Sequence, residues 1–392
     1  MIEINEKRVQ QHLRNFERAM DGYTYTEPLA RYLTRFFKEN KQMGSSDRRM
    51  TSRFCYNYFR LGHSFPLATR LEKLAYSEFL CEVESPIVQL YLPDLLAYSS
   101  ANLDEKIHIL TQRYGLDLDV LFPCADQLSA DIDRQAFIKS HFVQPNLFIR
   151  VKRGAEKYVK SKLESKGFAY EELQDHTLVL PNGVKLQQIK GLEGKYEVQD
   201  LSSQQTINFM EAQDGESWWD TCAASGGKAL MFLDKYPRTN LMVSDIRMSI
   251  LRNLDERFVQ AGMPQHYRKK ILDLSQDVST QMDNEQFDGV IVDVPCSGSG
   301  TWGRTPEMMQ QFTADKLMEF TKLQRSIVRN VIPYLKSGKS LVYMTCSVFA
   351  AENELAVTYI QQELGLKLDR MELITGYNQR ADTMFAARFI KP

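Results

Sequence analysis

The chain has only six cysteines in 392 residues, and no two form a Cys-x-x-Cys pair, so no disulfide framework is present. In a reducing compartment a cysteine that matters is reactive rather than bridged. Charge of either sign is not in excess. With 49 Lys+Arg against 50 Asp+Glu the net charge is −1, which excludes a uniformly basic nucleic-acid coat but leaves room for a local basic groove. No uncharged apolar run approaches the ~20 residues of a membrane span. The stretch Met1-Ile2-Glu3-Ile4-Asn5-Glu6-Lys7-Arg8 lacks the apolar core of a secretory signal. The loop at 220–228 is neither Gly-x-Gly-x-x-Gly nor a P-loop, and internal repeats and low-complexity segments are missing. Hydrophobic residues at 43% and charged residues at 25% are ordinary globular values. The expectation is a cytoplasmic protein of two or three domains with no membrane association.

What is present is unevenly distributed. Residues 1–75 hold 14 Lys+Arg against 8 Asp+Glu, residues 76–133 hold 2 against 11, and residues 139–166 hold 8 against 2. Up to about Asp133 the pattern is helical. Leu29, Tyr32, Leu33, Phe36 and Phe37 recur at helical spacing, as do Phe54, Tyr58, Phe59 and Leu61, and Ser45-Ser46-Asp47 reads as a helix start. A small α+β unit follows. It has a strand at Leu147–Val151, a basic helix through Tyr158–Leu163, and a strand and turn from Thr177 to Val184. After Glu216, strands at 218–223, 241–245, 270–274, 289–294 and 340–345 alternate with helices, the pattern of a parallel sheet covered on both faces. The expected domains are therefore 1–134, 135–210 and 211–392. Ligands of such sheets bind beyond the carboxyl ends of the strands.

The strand ends carry the chemistry. The first opens into Asp220-Thr221-Cys222-Ala223-Ala224-Ser225-Gly226-Gly227-Lys228, small residues and paired glycines that let a backbone approach a ligand ahead of a helix start with free N–H groups. Asp245, Asp273 and Asp293 end the next three strands. One such Asp could be an N-cap, but three facing one crevice suit a nucleoside with hydroxyl and amino groups better than a phosphate. The fourth and fifth ends give Asp293-Val294-Pro295-Cys296-Ser297-Gly298-Ser299-Gly300 and Thr345-Cys346-Ser347. Either cysteine could be an apolar filler, as Cys55, Cys81 and Cys124 are expected to be. No His or Cys pair lies close enough to complete a metal site, so none is expected. Residue types alone do not choose between Cys296 and Cys346 as a nucleophile.

The paired cysteine motifs, with Arg304-Thr305-Pro306-Glu307 between them, resemble the RNA cytosine-5 methyltransferases of the NOL1/NOP2/Sun family. The first loop is similar to that family's Cys-Ala-Ala-Pro-Gly-Gly-Lys, with Ser225 where Pro is usual. Phe148-Ile149-Arg150-Val151, Val198-Gln199-Asp200-Leu201 and Ala350-Ala351-Glu352-Asn353-Glu354 match its flanking segments. Ser46-Asp47-Arg48-Arg49 and Tyr58-Phe59-Arg60 resemble the NusB-like helical domain of the RsmB/Sun branch. The resemblance implies a Rossmann-like class I methyltransferase domain preceded by an all-helical domain and a small α+β linker. It implies S-adenosylmethionine as methyl donor and small-subunit (16S) ribosomal RNA as substrate, with a monomer expected.

It assigns Cys346 as nucleophile on cytosine C6 and Cys296 to product release. The reading of the site adds Asp293 as activator of the base and Lys228 as a positioner. Cys222, Ala223, Ala224, Ser225, Gly226, Gly227 and Lys228 would cradle the donor, with Asp245 on the ribose, Asp273 on the adenine and Asp293 nearby. A thiolate is the right nucleophile because its addition turns an inert C5 into an enamine carbon. Arg150, Lys152, Arg153, Lys157 and Arg304 are the candidate RNA contacts. Three other readings stand beside this one: a transfer-RNA cytosine-5 enzyme, an amino-group methyltransferase, and a silent RNA-binding ribosome-assembly protein.

Overall fold

The computed structural model describes residues 5–173, 176–263 and 267–392; the first four residues of the N-terminal stretch considered above lie outside them. Contacts divide the chain into two compact units. One comprises residues 1–126, 133–144 and 302–313, the other 127–132, 145–301 and 314–392. The small α+β region thus clusters with the sheet that follows it, and a short segment after the Cys296 loop clusters with the N-terminal helices.

The first unit is helical, with helices at Glu6–Asp21, Leu29–Glu39, Ser45–Arg60, Arg70–Cys81, Pro86–Tyr91, Leu103–Tyr114 and Arg134–Ser140. Apolar residues at helical spacing form its core, including Phe16, Leu29, Phe54, Phe59 and Phe79, together with Trp302 and Met309. The third helix begins at Ser45, where its sequence signal lies. Gly44 is the cap residue, and Asp47, in the first turn, accepts the Gly44 N–H at 3.0 Å. Leu29 follows Pro28, which has no side-chain oxygen to offer. Buried Glu307 accepts the Leu29 N–H instead, at 3.0 Å.

The second unit contains two sheets. In the smaller, β1 (Leu147–Val151), β2 (Glu171–Glu172), β3 (Thr177–Leu180) and β4 (Tyr196–Val198) lie in the order β2-β3-β1-β4, all antiparallel. The larger contains β5 (Ser217–Asp220), β6 (Asn240–Asp245), β7 (Tyr267–Ile271), β8 (Phe287–Asp293), β9 (Leu335–Thr345), β10 (Lys367–Ile374) and β11 (Met384–Ile390), in the order β10-β11-β9-β8-β5-β6-β7. β5 to β9 are parallel, as their spacing predicts, and β11 runs antiparallel to both β9 and β10. The third expected strand (270–274) lies earlier, because β7 pairs with β6 only from Leu241↔Tyr267 to Asp245↔Ile271; Asp273 follows the strand instead of ending it.

β5 is the middle one of the five parallel strands, where strand order reverses between β6 and β8, and such a switch point opens a crevice at the carboxyl ends of the strands. Trp218 and Trp219 of β5 are fully buried, one toward each of the two apolar layers that cover the sheet.

Candidate active site

β5 delivers the first loop. Ala224 and Gly226 adopt positive φ (+46° and +85°), and a Cβ on Gly226 would stand 2.9 Å from Leu254 Cγ. Only glycine fits there without cost. The helix Gly227–Lys235 starts with no side chain capping it, which leaves its first N–H groups uncommitted to a cap. Arg257 anchors the loop from outside. It donates to Ser225 O at 3.1 Å and Ser225 Oγ at 3.0 Å while pairing with Glu197 at 2.6 Å. The hydroxyl that stands in place of the usual proline is therefore used.

Asp245, at the end of β6, is nearly buried. It accepts the Ala224 N–H at 3.2 Å and pairs with Arg247 at 3.1 Å. Asp273 is half-buried and turns one oxygen back onto Ser275 N (3.0 Å) and Ser275 Oγ (2.6 Å). Asp293, at the end of β8, meets Lys228 Nζ at 3.2 Å, and the same ammonium donates to Ser203 Oγ at 2.9 Å. Lys228 is thus engaged with the carboxylate at the crevice and is not a solvated first-turn lysine.

The two cysteines meet. Cys296 Sγ and Cys346 Sγ are 3.4 Å apart, each half-buried at residue level. Their loops are tied by backbone bonds from Val294 N to Met344 O (3.1 Å) and from Gly300 N to Cys346 O (2.9 Å). Gly300 permits this approach, because a Cβ there would lie 2.1 Å from Thr383 O. The hydrogen bond to Cys346, with burial, holds the Cys296 thiol well above the ordinary cysteine range, so Cys296 is a thiol able to exchange a proton with its neighbour. Burial pushes Cys222 up to about 12, which makes it an inert part of the loop. In the helical unit burial raises Cys55 strongly and Cys81 to about 12, and raises Cys124 as well.

Three residues of this unit carry weight that the sequence does not announce. Asp220 is fully buried at the end of β5, and neither carboxyl oxygen has a well-formed hydrogen bond. Burial first, then the charge of Asp293, raises it to about 8. Its signal was an Asp directly after two buried tryptophans. Glu352 is fully buried beneath the cysteine loops, and nothing in the run Ala350–Glu354 marks that burial. Arg257 sits in the last turn of the helix Met248–Gln260 with no motif around it.

The candidate RNA contacts divide. Arg150 is not a surface residue. Its guanidinium is buried against Asp234 at 2.5 Å and Gln199 at 3.0 Å, because Arg150 faces inward from β1. Lys152 is half-buried and donates to Ala261 O at 2.8 Å. Arg153 and Lys157 are exposed, as is Tyr158 beside Lys162, whereas Phe148 is buried. Arg304 is half-buried in the helical unit. A cavity of about 620 Å³ lies away from the cysteines, lined by Arg150, Thr177, Gln204, Met231, Asp234 and Ile374 among others; the reacting groups described above do not line it. Among the described residues no cluster of His, Cys, Asp and Glu could hold a metal, and no helix is long and apolar enough to cross a membrane.

Residues 207–390 match the family described as 16S rRNA methyltransferase RsmB/F. The chain is similar to ribosomal RNA small subunit methyltransferase B of Serratia proteamaculans (strain 568), 32% identical over 177 residues, which cover 45% of this chain and 41% of that protein. It is 29% identical over 225 residues to the protein of the same name from Enterobacter sp. (strain 638), covering 56% of this chain and 52% of that one. The chain therefore spans about half the length of the curated relatives it matches, or less. Among solved structures, PH0851 superposes over 97% of this chain and 98% of its own, with a TM-score of 0.74 and 19% identity. NSun6 from Pyrococcus horikoshii with SFG superposes over 68% and 96%, with a TM-score of 0.60 and 16% identity. These two show the fold. The resemblance to the RsmB/F family rests on residues 207–390, a little under half of the chain.

Proposed function

We propose that the chain transfers a methyl group from S-adenosylmethionine to C5 of a cytosine in small-subunit (16S) ribosomal RNA, through a transient bond between Cys346 Sγ and cytosine C6. The observation that carries this reading is the pair of thiols 3.4 Å apart on the loops that follow β8 and β9, with Asp293, ion-paired to Lys228, ending β8. An amino-group methyltransferase has no use for such a pair.

The residues present fit the methyl donor. The uncapped helix start and the glycine cradle at Gly226 suit its methionine portion, the nearly buried Asp245 suits a ribose diol, and Asp273 would meet the adenine amino group with the oxygen not turned onto Ser275. When bound, S-adenosylmethionine supplies an electrophilic methyl carbon. Cys346 adds to C6 as its proton passes through Asp293, aligned by Lys228 on the N3/N4 edge, to N3 of the ring. The ring C5 then takes the methyl group. Water takes the C5 proton, N3 returns its proton to Asp293 as the Cys346 thiolate is expelled, and Cys296, a thiol at hydrogen-bond distance, shares its proton with the departing sulfur. Because C6 is hidden inside a helix, the cytosine is reached in a loop or after extrusion from its stack. Arg153 and Lys157 would contact the RNA backbone, with Arg304 as a further contact from the helical unit. The protein acts as a monomer in the cytoplasm.

Two variants test the reading on unmodified ribosomal RNA. Cys346→Ala abolishes methylation, and Cys296→Ala accumulates a protein–RNA adduct that survives a denaturing gel. An adduct formed by Cys346→Ala instead refutes the assignment. Bisulfite sequencing of total RNA from cells lacking the protein shows loss of a methylated cytosine in 16S ribosomal RNA; loss confined to transfer RNA overturns the substrate, and no loss favours the silent RNA-binding alternative.

A further inference from the structure

Glu352 is fully buried, and the reaction just described makes no use of it. Its carboxylate collects donors from three separate stretches of chain. Ser297, the residue after Cys296, gives its backbone N–H to Oε1 at 2.8 Å and its hydroxyl to Oε2 at 2.5 Å. Ser347, the residue after Cys346, gives its hydroxyl to the same Oε2. Gln324, on the helix Ala314–Val331, donates to Oε1 at 2.8 Å and to Pro295 O at 3.1 Å. The backbone on either side is held as well. Tyr343 of β9 donates to Glu352 O at 2.7 Å, and Asn353 binds Thr345 Oγ1 at 2.7 Å and Ser347 O at 3.0 Å.

A carboxylate offers acceptors only, and every group turned toward this one is a donor. An apolar side chain could fill the same volume without the desolvation that a buried carboxylate entails. What an apolar side chain could not do is bind the residue following each cysteine at once. We propose that Glu352 is a positioning residue for the cysteine pair: by tethering Ser297 and Ser347 to one carboxyl group, it sets the separation and aim of the Cys296 and Cys346 thiols. The inference rests on the adduct chemistry above for its consequence, but the geometry it concerns exists in the free protein.

Glu352→Gln keeps the volume and replaces an acceptor with a donor. The expected result is a kcat lower by about 100-fold, the scale of a misplacement near 1 Å, with KM for RNA, affinity for S-adenosylmethionine and melting temperature close to wild type. In the free protein, iodoacetamide followed by peptide mass spectrometry reads the relative alkylation rates of Cys296 and Cys346, and the ratio shifts by about 10-fold in the variant. This second measurement needs no RNA, so it tests the tether even if the chain does not methylate cytosine. An unchanged alkylation ratio overturns the proposal, as does a kcat loss matched by equal losses in donor affinity and melting temperature. Should the variant fail to fold, Ser297→Ala and Ser347→Ala decide. Each lowers kcat by about 10-fold, and the double variant falls well short of their product because one broken tether already frees the pair. Multiplicative losses overturn the tether.

Discussion

Replacing Asp220 by Asn should make the protein more stable, and increasingly so as pH rises. The side chain lies at the end of β5 with both oxygens buried and without a well-formed hydrogen bond, near the charges of Asp293 and Asp245 and only partly offset by Lys228 and the Cys222 N–H. Its pKa is raised to about 8, against about 3.9 in an unfolded chain. Between those values the folded state holds a proton that the unfolded state has released. Stability therefore falls with rising pH across that window, at up to about 1.4 kcal/mol per pH unit, and levels off once the folded-state group also ionises near pH 8. The accumulated loss by pH 7 is on the order of 4 kcal/mol. Asparagine titrates in neither state and lacks this slope. Denaturant unfolding followed by Trp218 and Trp219 fluorescence, whose rings lie in the same strand, reports on the right unit of a chain that has two. The gap between variant and wild type is small near pH 4, widens through pH 7 and is constant above pH 8. Parallel profiles would refute the argument, because they would mean that Asp220 is already charged in the folded protein at neutral pH.

Three further outcomes follow from the same contacts. Arg257→Ala removes both bonds to Ser225, so calorimetry should find S-adenosylmethionine affinity about 10-fold weaker with RNA affinity unchanged. Arg150→Met leaves Asp234 buried without its partner and should cost about 3 kcal/mol of stability while RNA affinity at fixed salt holds. The paired reversal Arg153→Glu, Lys157→Glu should do the opposite, sparing stability while weakening RNA binding and flattening its salt dependence; RNA binding that ignores this reversal would place the track elsewhere.

The elements that position the site were legible where period and punctuation agree. β5, β6, β8 and the 340–345 half of β9 are short apolar runs that end in Asp220, Asp245, Asp293 and Thr345, and the residues that follow them are the ones the structure gathers at the crevice; the polar first half of β9, 335–339, was not read as strand. β10 and β11 escaped notice. Lys367–Ile374 is a largely exposed edge strand without clean alternation, and Met384–Ile390 is an apolar run preceded by no helix, so neither fits the strand–helix rhythm that revealed the others. The basic run 139–166 was misleading at Arg150, because a count of charges carries no information on which face of a strand each occupies. Glu352 was invisible for a related reason. Its partners at Ser297, Gln324 and Ser347 are brought together only by tertiary structure, and no local pattern encodes a meeting of that kind.

The strand β11 imposes an order on how this protein can come into being. It hydrogen-bonds along β9 from Phe385↔Thr345 to Ile390↔Ser340, and Thr383 N reaches back to Gly300 O in the first cysteine loop. Both sulfur-bearing loops thus lean on residues that a ribosome adds well after either cysteine. A chain interrupted anywhere before Met384 carries both thiols without the support that aims them. The two loops take the arrangement described above only once β11 is in place.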